Sequence, residues 1–174
     1  MRLPLVYYGN ALLRKKCEPA SEITDEIRQL VQDMIETMDA NKGVGLAAPQ
    51  VGKLIRLFVL RNYIESEDGS LTFSDPIVYI NPKITNPSKQ TCVDVEGCLS
   101  IPGVRGEVER PYSITVEATN LEGQLFQEEV EGYNARVRMH ENDHINGVLF
   151  VDRLHPHERN KLEADLRAIK KKYN

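Results

Sequence analysis

The sequence is short of long apolar runs. None approaches the ~18 residues that a membrane-spanning helix requires, so no membrane association is expected. The opening stretch, Met1 to Gly9, is too brief and ends wrongly for a secretion signal. Cysteine is scarce as well. Cys17, Cys92 and Cys98 are odd in number and irregularly spaced, which argues against a disulfide framework and points to a reducing cytoplasm. The one Asn-x-Ser/Thr candidate, Asn86-Pro87-Ser88, is disqualified by its proline. Positive charge is also limited. A net charge of −4 leaves no broad basic face for a nucleic-acid duplex, and no DNA partner is expected. The exception is local: His155 to Asn174 holds six Lys/Arg against three Asp/Glu.

With 174 residues, 41% of them hydrophobic, the chain can bury a real core, and residues 1–174 read as one catalytic domain. Ile27, Leu30, Val31, Met34, Ile35 and Met38 recur at helical spacing, so 25–40 is a predicted helix capped by Thr24 and closed by Gly43 and Gly45. Strand-like runs follow at Leu54–Leu60, Ile77–Ile80, Tyr112–Thr119 and Gln124–Val130, the last two joined by a turn at Asn120–Gly123. Residues 62–76 read as a long surface loop or a small hairpin turning at Asp68-Gly69. Helix resumes over about 134–146, and a last helix is predicted over about 156–172. Helices beside antiparallel strands, without βαβ alternation, make the fold class α+β. The expected architecture is small antiparallel or mixed sheets packed around a central helix, with helices at both ends.

The chemistry concentrates in three segments. In His140-Glu141-Asn142-Asp143-His144 the two histidines are i, i+4, about 40° apart around a helix and about 6 Å along it, so both imidazoles share a face. Such a pair binds one divalent metal, and Glu141 is placed to move a proton beside it. Two surface histidines on a polar helix are the plain alternative. A third ligand is needed. His155 and His157 read as exposed helix-start residues, whereas Cys98, beside Gly97 in Glu96-Gly97-Cys98-Leu99-Ser100, offers a soft thiolate. A buried free cysteine is the alternative there. The third segment, Gly43-Val44-Gly45-Leu46-Ala47-Ala48-Pro49-Gln50, imitates a dinucleotide fingerprint but follows a helix and opens none. It reads better as a close-fitting wall with Gln50 as an amide donor.

Together these three motifs, in this order, resemble the signature motifs of peptide deformylase. The resemblance extends to Leu12-Leu13-Arg14, Ile80-Asn81-Pro82 and Gly147–Leu154. It implies removal of the formyl group from N-formylmethionine on nascent chains, with formate released. It implies one divalent metal held by Cys98, His140 and His144, Fe(II) first, with Zn(II), Ni(II) and Co(II) as alternatives in a purified sample. The ion would acidify water for attack on the formyl carbon. Glu141 would carry the proton, and Gln50 with the Leu99 N–H would hold the oxyanion. Val44, Tyr133 and Val137 are candidates for a methionine slot, and Gly45 and Gly97 for backbone bonds to the peptide. Arg110 is a candidate partner for Asp143, pinning the ligand helix. The C-terminal helix, with Arg167, Lys170, Lys171 and Lys172, resembles one associated with ribosome docking. Two residues depart from the family pattern, Met139 and Asn142. The latter should point away from the metal and needs partners if buried. Two alternatives remain at this point: a zincin-type metallopeptidase, and a non-catalytic ribosome-associated module.

Overall fold

The computed structural model describes residues 1–174. Its first helix, α1 (Asp25–Ala40), has the predicted bounds and cap: the Thr24 hydroxyl oxygen accepts from the Ile27 N–H at 3.2 Å. Asp25 and Glu26 meet the positive end of the helix dipole. The helix stops where Lys42 turns to φ 57°, just before Gly43. Ile27, Val31, Met34 and Met38 form the buried stripe and pack on Leu46, Leu57, Val59 and Ile80. Burying each such side chain stabilises by about 1.5–3 kcal/mol.

The strands in chain order are β1 (Gly45–Ala47), β2 (Leu57–Leu60), β3 (Tyr63–Glu65), β4 (Leu71–Phe73), β5 (Ile77–Thr85), β6 (Thr91–Cys98), β7 (Ile101–Pro111), β8 (Ser113–Thr119) and β9 (Leu125–Glu131). One five-stranded sheet has the order β1-β2-β5-β8-β9, and β3-β4 and β6-β7 are separate ribbons. Every ladder is antiparallel. Residues 62–76 are therefore the hairpin reading, not the bare loop. The strand predicted from Leu54 begins only at Leu57, and the one predicted to end at Ile80 continues to Thr85.

That continuation crosses Pro82. The ladder slips between Ile80 and Lys83, with Asn81 at φ 52°. Such a bulge removes the need for a ladder N–H at the proline. The Asn81 amide is then free to grip Ala20, accepting from its N–H and donating to its carbonyl at 2.8 Å each. The segment leading into α1 is thereby tied to the sheet.

Helix α2 (Gly132–Ile145) lies against β1, β2 and β9, the central helix expected. The predicted C-terminal helix is two helices, α3 (Pro156–Lys161) and α4 (Glu163–Tyr173). The break falls at Leu162, and the Leu166 N–H still donates to the Leu162 carbonyl across it at 2.9 Å. Leu166 and Ile169 reach the core cluster holding Ile101, Val104 and Phe150, with Leu162 packed at its margin.

Candidate metal centre

Helix α2 is polar in sequence yet buried on most sides. A buried polar group is tolerated when its hydrogen-bonding capacity is met; here it is met for the arginines and Asp143, whereas Glu141 Oε1, Asn142 Oδ1 and His144 Nδ1 are buried without a partner. Arg138 pairs with Glu128 at 2.7 Å and donates to the Asn134 carbonyl. Arg136 donates to the Cys92 and Val108 carbonyls and to Glu96. Asp143 accepts a two-pronged pair from Arg153 and a third bond from Arg110 at 3.0 Å. The helix is thus clamped, with His140, Glu141 and His144 held on its inner side.

Cys98 comes from the β6-β7 ribbon, which the sequence did not announce. The pairing shifts from Gly97↔Arg105 to Cys98↔Ile101, so residues 102–104 bulge on one strand only. Strand β6 thereby ends on the sulfur, and the chain turns at Leu99-Ser100. Cys98 Sγ lies 3.3 Å from His144 Nε2, and one donor atom from each of Cys98, His140 and His144 falls within 4.8 Å of the others. A tetrahedral ion bonded at about 2.3 Å to sulfur and about 2.0–2.1 Å to nitrogen sets an S···N separation of about 3.5 Å. The donor set fits a metal, and the chain carries a Cys-His-His metal-binding triad. No other cluster of His, Cys, Asp or Glu in the protein meets the same proximity.

The second nitrogen of a ligand imidazole needs an acceptor, and Glu96 supplies it. His140 Nδ1 donates to Glu96 Oε1 at 2.9 Å, which leaves Nε2 with its lone pair for the ion. Glu96 is 3% exposed. It accepts two bonds from Arg110, one from Arg136 and one from His140, about the full capacity of a carboxylate. Burial works against its charge, but the Arg110 and His140 bonds prevail and hold its carboxyl well below the usual range. His144 is depressed, chiefly by burial. His140 is raised: burial opposes this, and Cys98, Glu141 and Glu96 outweigh it.

Glu141 is 4% exposed, and its Oε1 has no partner. Burial pushes its carboxyl up to about 7. It lies under β1: a Cβ on Gly45 would stand 2.6 Å from Glu141 Oε2, so only glycine permits this approach. Gln50 is fixed from its oxygen side. Oε1 accepts from the Ala47 N–H at 2.9 Å, so Nε2 faces Ser100 Oγ at 3.1 Å and Cys98 Sγ at 3.5 Å.

A cleft of about 520 Å³ opens over these groups. Val44, Gly45, Gly97, Tyr133 and Val137 all line it, as do Leu99, Gln50, Cys98, His140 and Glu141. Arg110 and Asp143 meet behind the helix rather than in the cleft. His155 and His157 sit at the exposed start of α3, as expected, where His155 is the N-cap and its Nδ1 accepts from the His157 N–H. Asn142 is half-buried with Oδ1 enclosed and unpartnered, an expense of about 1–3 kcal/mol. Sequence reasoning missed Glu96, Arg136 and Ser100 around the ligands, and Tyr63 and Arg105 on the cleft wall. For Glu96 a signal existed: an acid inside the cysteine motif is what a histidine ligand requires at its other nitrogen.

Comparison with known proteins agrees with this geometry. The family model described as Polypeptide deformylase matches residues 2–160. The chain is 44% identical over 167 residues to a peptide deformylase of Acinetobacter baumannii (strain SDF), covering 96% of this chain and 91% of that one. It is 40% identical over 164 residues to one from Thermotoga neapolitana, with 94% of each covered. The crystal structure of peptide deformylase from Ehrlichia chaffeensis superposes with a TM-score of 0.89 at 35% identity, over 99% of this chain and 97% of that one.

Proposed function

The chain belongs to the polypeptide deformylase family, and on that premise we propose how its residues divide the work of removing the N-formyl group from nascent peptides. The activity is metal-dependent hydrolysis of the formyl amide. The observation that carries the assignment of roles is the meeting of Cys98 Sγ with two imidazoles from a separate helix, beside an unpartnered buried carboxylate.

Cys98, His140 and His144 hold one divalent ion. Fe(II) is our reading, from the family resemblance; thiolate with imidazole also suits Zn(II), Ni(II) or Co(II). Such an ion supplies Lewis acidity, making water acidic near neutral pH and polarising the formyl carbonyl. Glu141 Oε1 takes the proton of the attacking water and delivers it to the amine that leaves. Glu141 lies against Gly45 and lines the cleft beside Cys98 and His140. Gln50 Nε2 and the Leu99 N–H donate to the oxygen on which negative charge develops, and losing one such donor typically costs about 2.7–4 kcal/mol of barrier. The Gln50 amide needs no reorientation for this, because Ala47 already fixes its oxygen.

Val44, Tyr133 and Val137 receive the methionine side chain. Gly45 sits in β1, an edge strand paired only with β2, so an extended peptide can add to that edge with Gly97 facing it. Arg110 and Asp143 keep the ligand helix in place. Residues 1–174 act as one catalytic domain, since α4 shares a core cluster with Ile101 and Val104. The reaction belongs to the cytoplasm in this reading, and no helix is long and apolar enough to cross a membrane. Exposed Arg167, Lys170, Lys171 and Lys172 are our candidates for contact with ribosomal RNA phosphates.

Anaerobic purification, elemental analysis and a formate assay on formyl-Met-Ala test the assignment together. Iron near one equivalent with formate release is expected. Peptide-bond cleavage without formate would turn the reading toward a metallopeptidase.

A further inference from the structure

The cleft has an end that the reaction does not use. Besides the residues given roles above, its lining includes Leu5, Tyr7, Pro102 and Tyr173. Tyr7 and Tyr173 are stacked, with ring centroids 3.9 Å apart and planes 18° from parallel. The two rings come from opposite ends of the sequence, and each is separately secured.

On one side, the Val6 N–H donates to the Gln50 carbonyl and the Tyr8 N–H to the Ser100 carbonyl, both at 2.8 Å. The strip bearing Tyr7 is therefore bonded to the backbones of the residues that flank Cys98. On the other side, α4 is held by buried Leu166 and Ile169. Beyond its end, Asn174 Nδ2 donates to the Tyr8 carbonyl at 2.7 Å. The stack is thus organised before any ligand arrives, which lowers the ordering cost of binding. Tyr173 nevertheless stays 37% exposed, and Tyr7 is half-buried. A rigid aromatic pair left open to a cleft is a surface for apolar or aromatic side chains.

We propose that the Tyr7–Tyr173 stack is a subsite for an apolar side chain, aromatic by preference, carried by the substrate downstream of its formylmethionine. This rests on the deformylase reading and extends it. The methionine slot is occupied separately by Val44, Tyr133 and Val137, so a side chain at the stack belongs to a later residue. Tyr173 lies past residue 160, where the family match stops. The preference therefore belongs to the C-terminal helix of this chain, and Tyr173 is a specificity-determining residue.

The test compares wild-type and Tyr173→Ala holoenzyme on formyl-Met-Ala-Ser, formyl-Met-Phe-Ser and formyl-Met-Ala-Phe. Wild type is expected to prefer phenylalanine at one of the two downstream positions. In Tyr173→Ala that preference should fall about threefold to tenfold, the span an aromatic pair commonly contributes, with the change in KM rather than kcat. Tyr173→Phe should retain it, because stacking and not the hydroxyl is responsible. Tyr173→Leu repeats the measurement with an apolar helix end, should the alanine variant unfold. Calorimetric binding of the unformylated peptides Met-Phe-Ser, Met-Ala-Phe and Met-Ala-Ser gives the same comparison without turnover. Equal affinity of wild type for phenylalanine and alanine at both positions, or an undiminished preference without the tyrosine ring, overturns the subsite. Absence of formate from every peptide overturns the deformylase reading instead, while the calorimetry still reports on the stack.

Discussion

Glu96 and His140, forty-four positions apart, are joined by a 2.9 Å hydrogen bond that decides which imidazole nitrogen faces the cleft. The same carboxylate also binds Arg110 and Arg136, so one side chain serves both the metal ligand and the interior. Replacement should show both effects. For Glu96→Ala we expect metal affinity to drop about tenfold to a hundredfold. Stability should fall by up to about 3–5 kcal/mol, because the buried guanidinium groups of Arg110 and Arg136 lose a carboxylate partner and keep only Asp143 and the Cys92 and Val108 carbonyls. Metal titration and denaturant unfolding measure these separately; an unaltered affinity would contradict the role given to Glu96.

Glu141 and Cys98 should separate chemistry from metal binding. Glu141→Ala is expected to keep its ion yet lose turnover by about two to four orders of magnitude, the usual contribution of a positioned acid–base group. Cys98→Ala is expected to lose the ion itself. Elemental analysis beside the formate assay reads both, and a Glu141→Ala enzyme with ordinary turnover would remove that residue from the mechanism.

Removing the ion from the wild-type protein should lower the unfolding temperature. An ion bound only by the folded state stabilises it by mass action, about 2.7 kcal/mol at a free concentration one hundred times Kd. Calorimetry before and after chelation checks this, and readdition of metal should restore the original value.

Two glycines should respond differently to a single methyl group. In Gly45→Ala the new Cβ meets Glu141 Oε2, so activity should fall while the fold persists. Gly147 stands at φ 76°, and a Cβ there would lie 2.5 Å from the Arg14 carbonyl oxygen. Gly→Ala stabilises a protein by about 0.4–1 kcal/mol where the backbone suits alanine, but at this positive φ Gly147→Ala should instead destabilise it by more than about 1 kcal/mol. Kinetics and thermal unfolding distinguish the two.

Cys17 is 6% exposed, and burial pushes its thiol up to about 11 from the ordinary 9.0. The folded chain holds that proton more tightly than the unfolded chain. Its contribution to stability is complete below pH 9 and is lost as pH rises from 9 to about 11. Denaturation midpoints across that window should fall less in Cys17→Ala than in wild type, and Cys17 should resist thiol reagents until the protein unfolds.

How much of this could be read in advance depended on whether a signal was local. The first helix could be placed to the residue because its stripe, its Thr24 cap and its glycine stop lie within one short window. The ligands were legible because the chemistry admits few residue types. The β6-β7 ribbon was not, because its alternation runs against the usual sense: Val93 and Val95 are exposed while Glu96 is buried. An apolar-inward rule discards such a strand. The break at Leu162 carries no glycine or proline. Leu162, Leu166 and Ile169 keep the predicted face and pack on one cluster around Ile101 across it, so the apolar stripe gives no sign of the break.

The brevity of β1 has a consequence for timing. Three residues offer room for only a short visiting strand, and the cleft beside it admits backbone in the extended form proposed for the substrate. A polypeptide whose beginning has already coiled or docked against the rest of its own fold has no such strand to present. Access on these terms closes as the client matures, so the interval for deformylation is set by how soon each new protein's first residues become committed elsewhere.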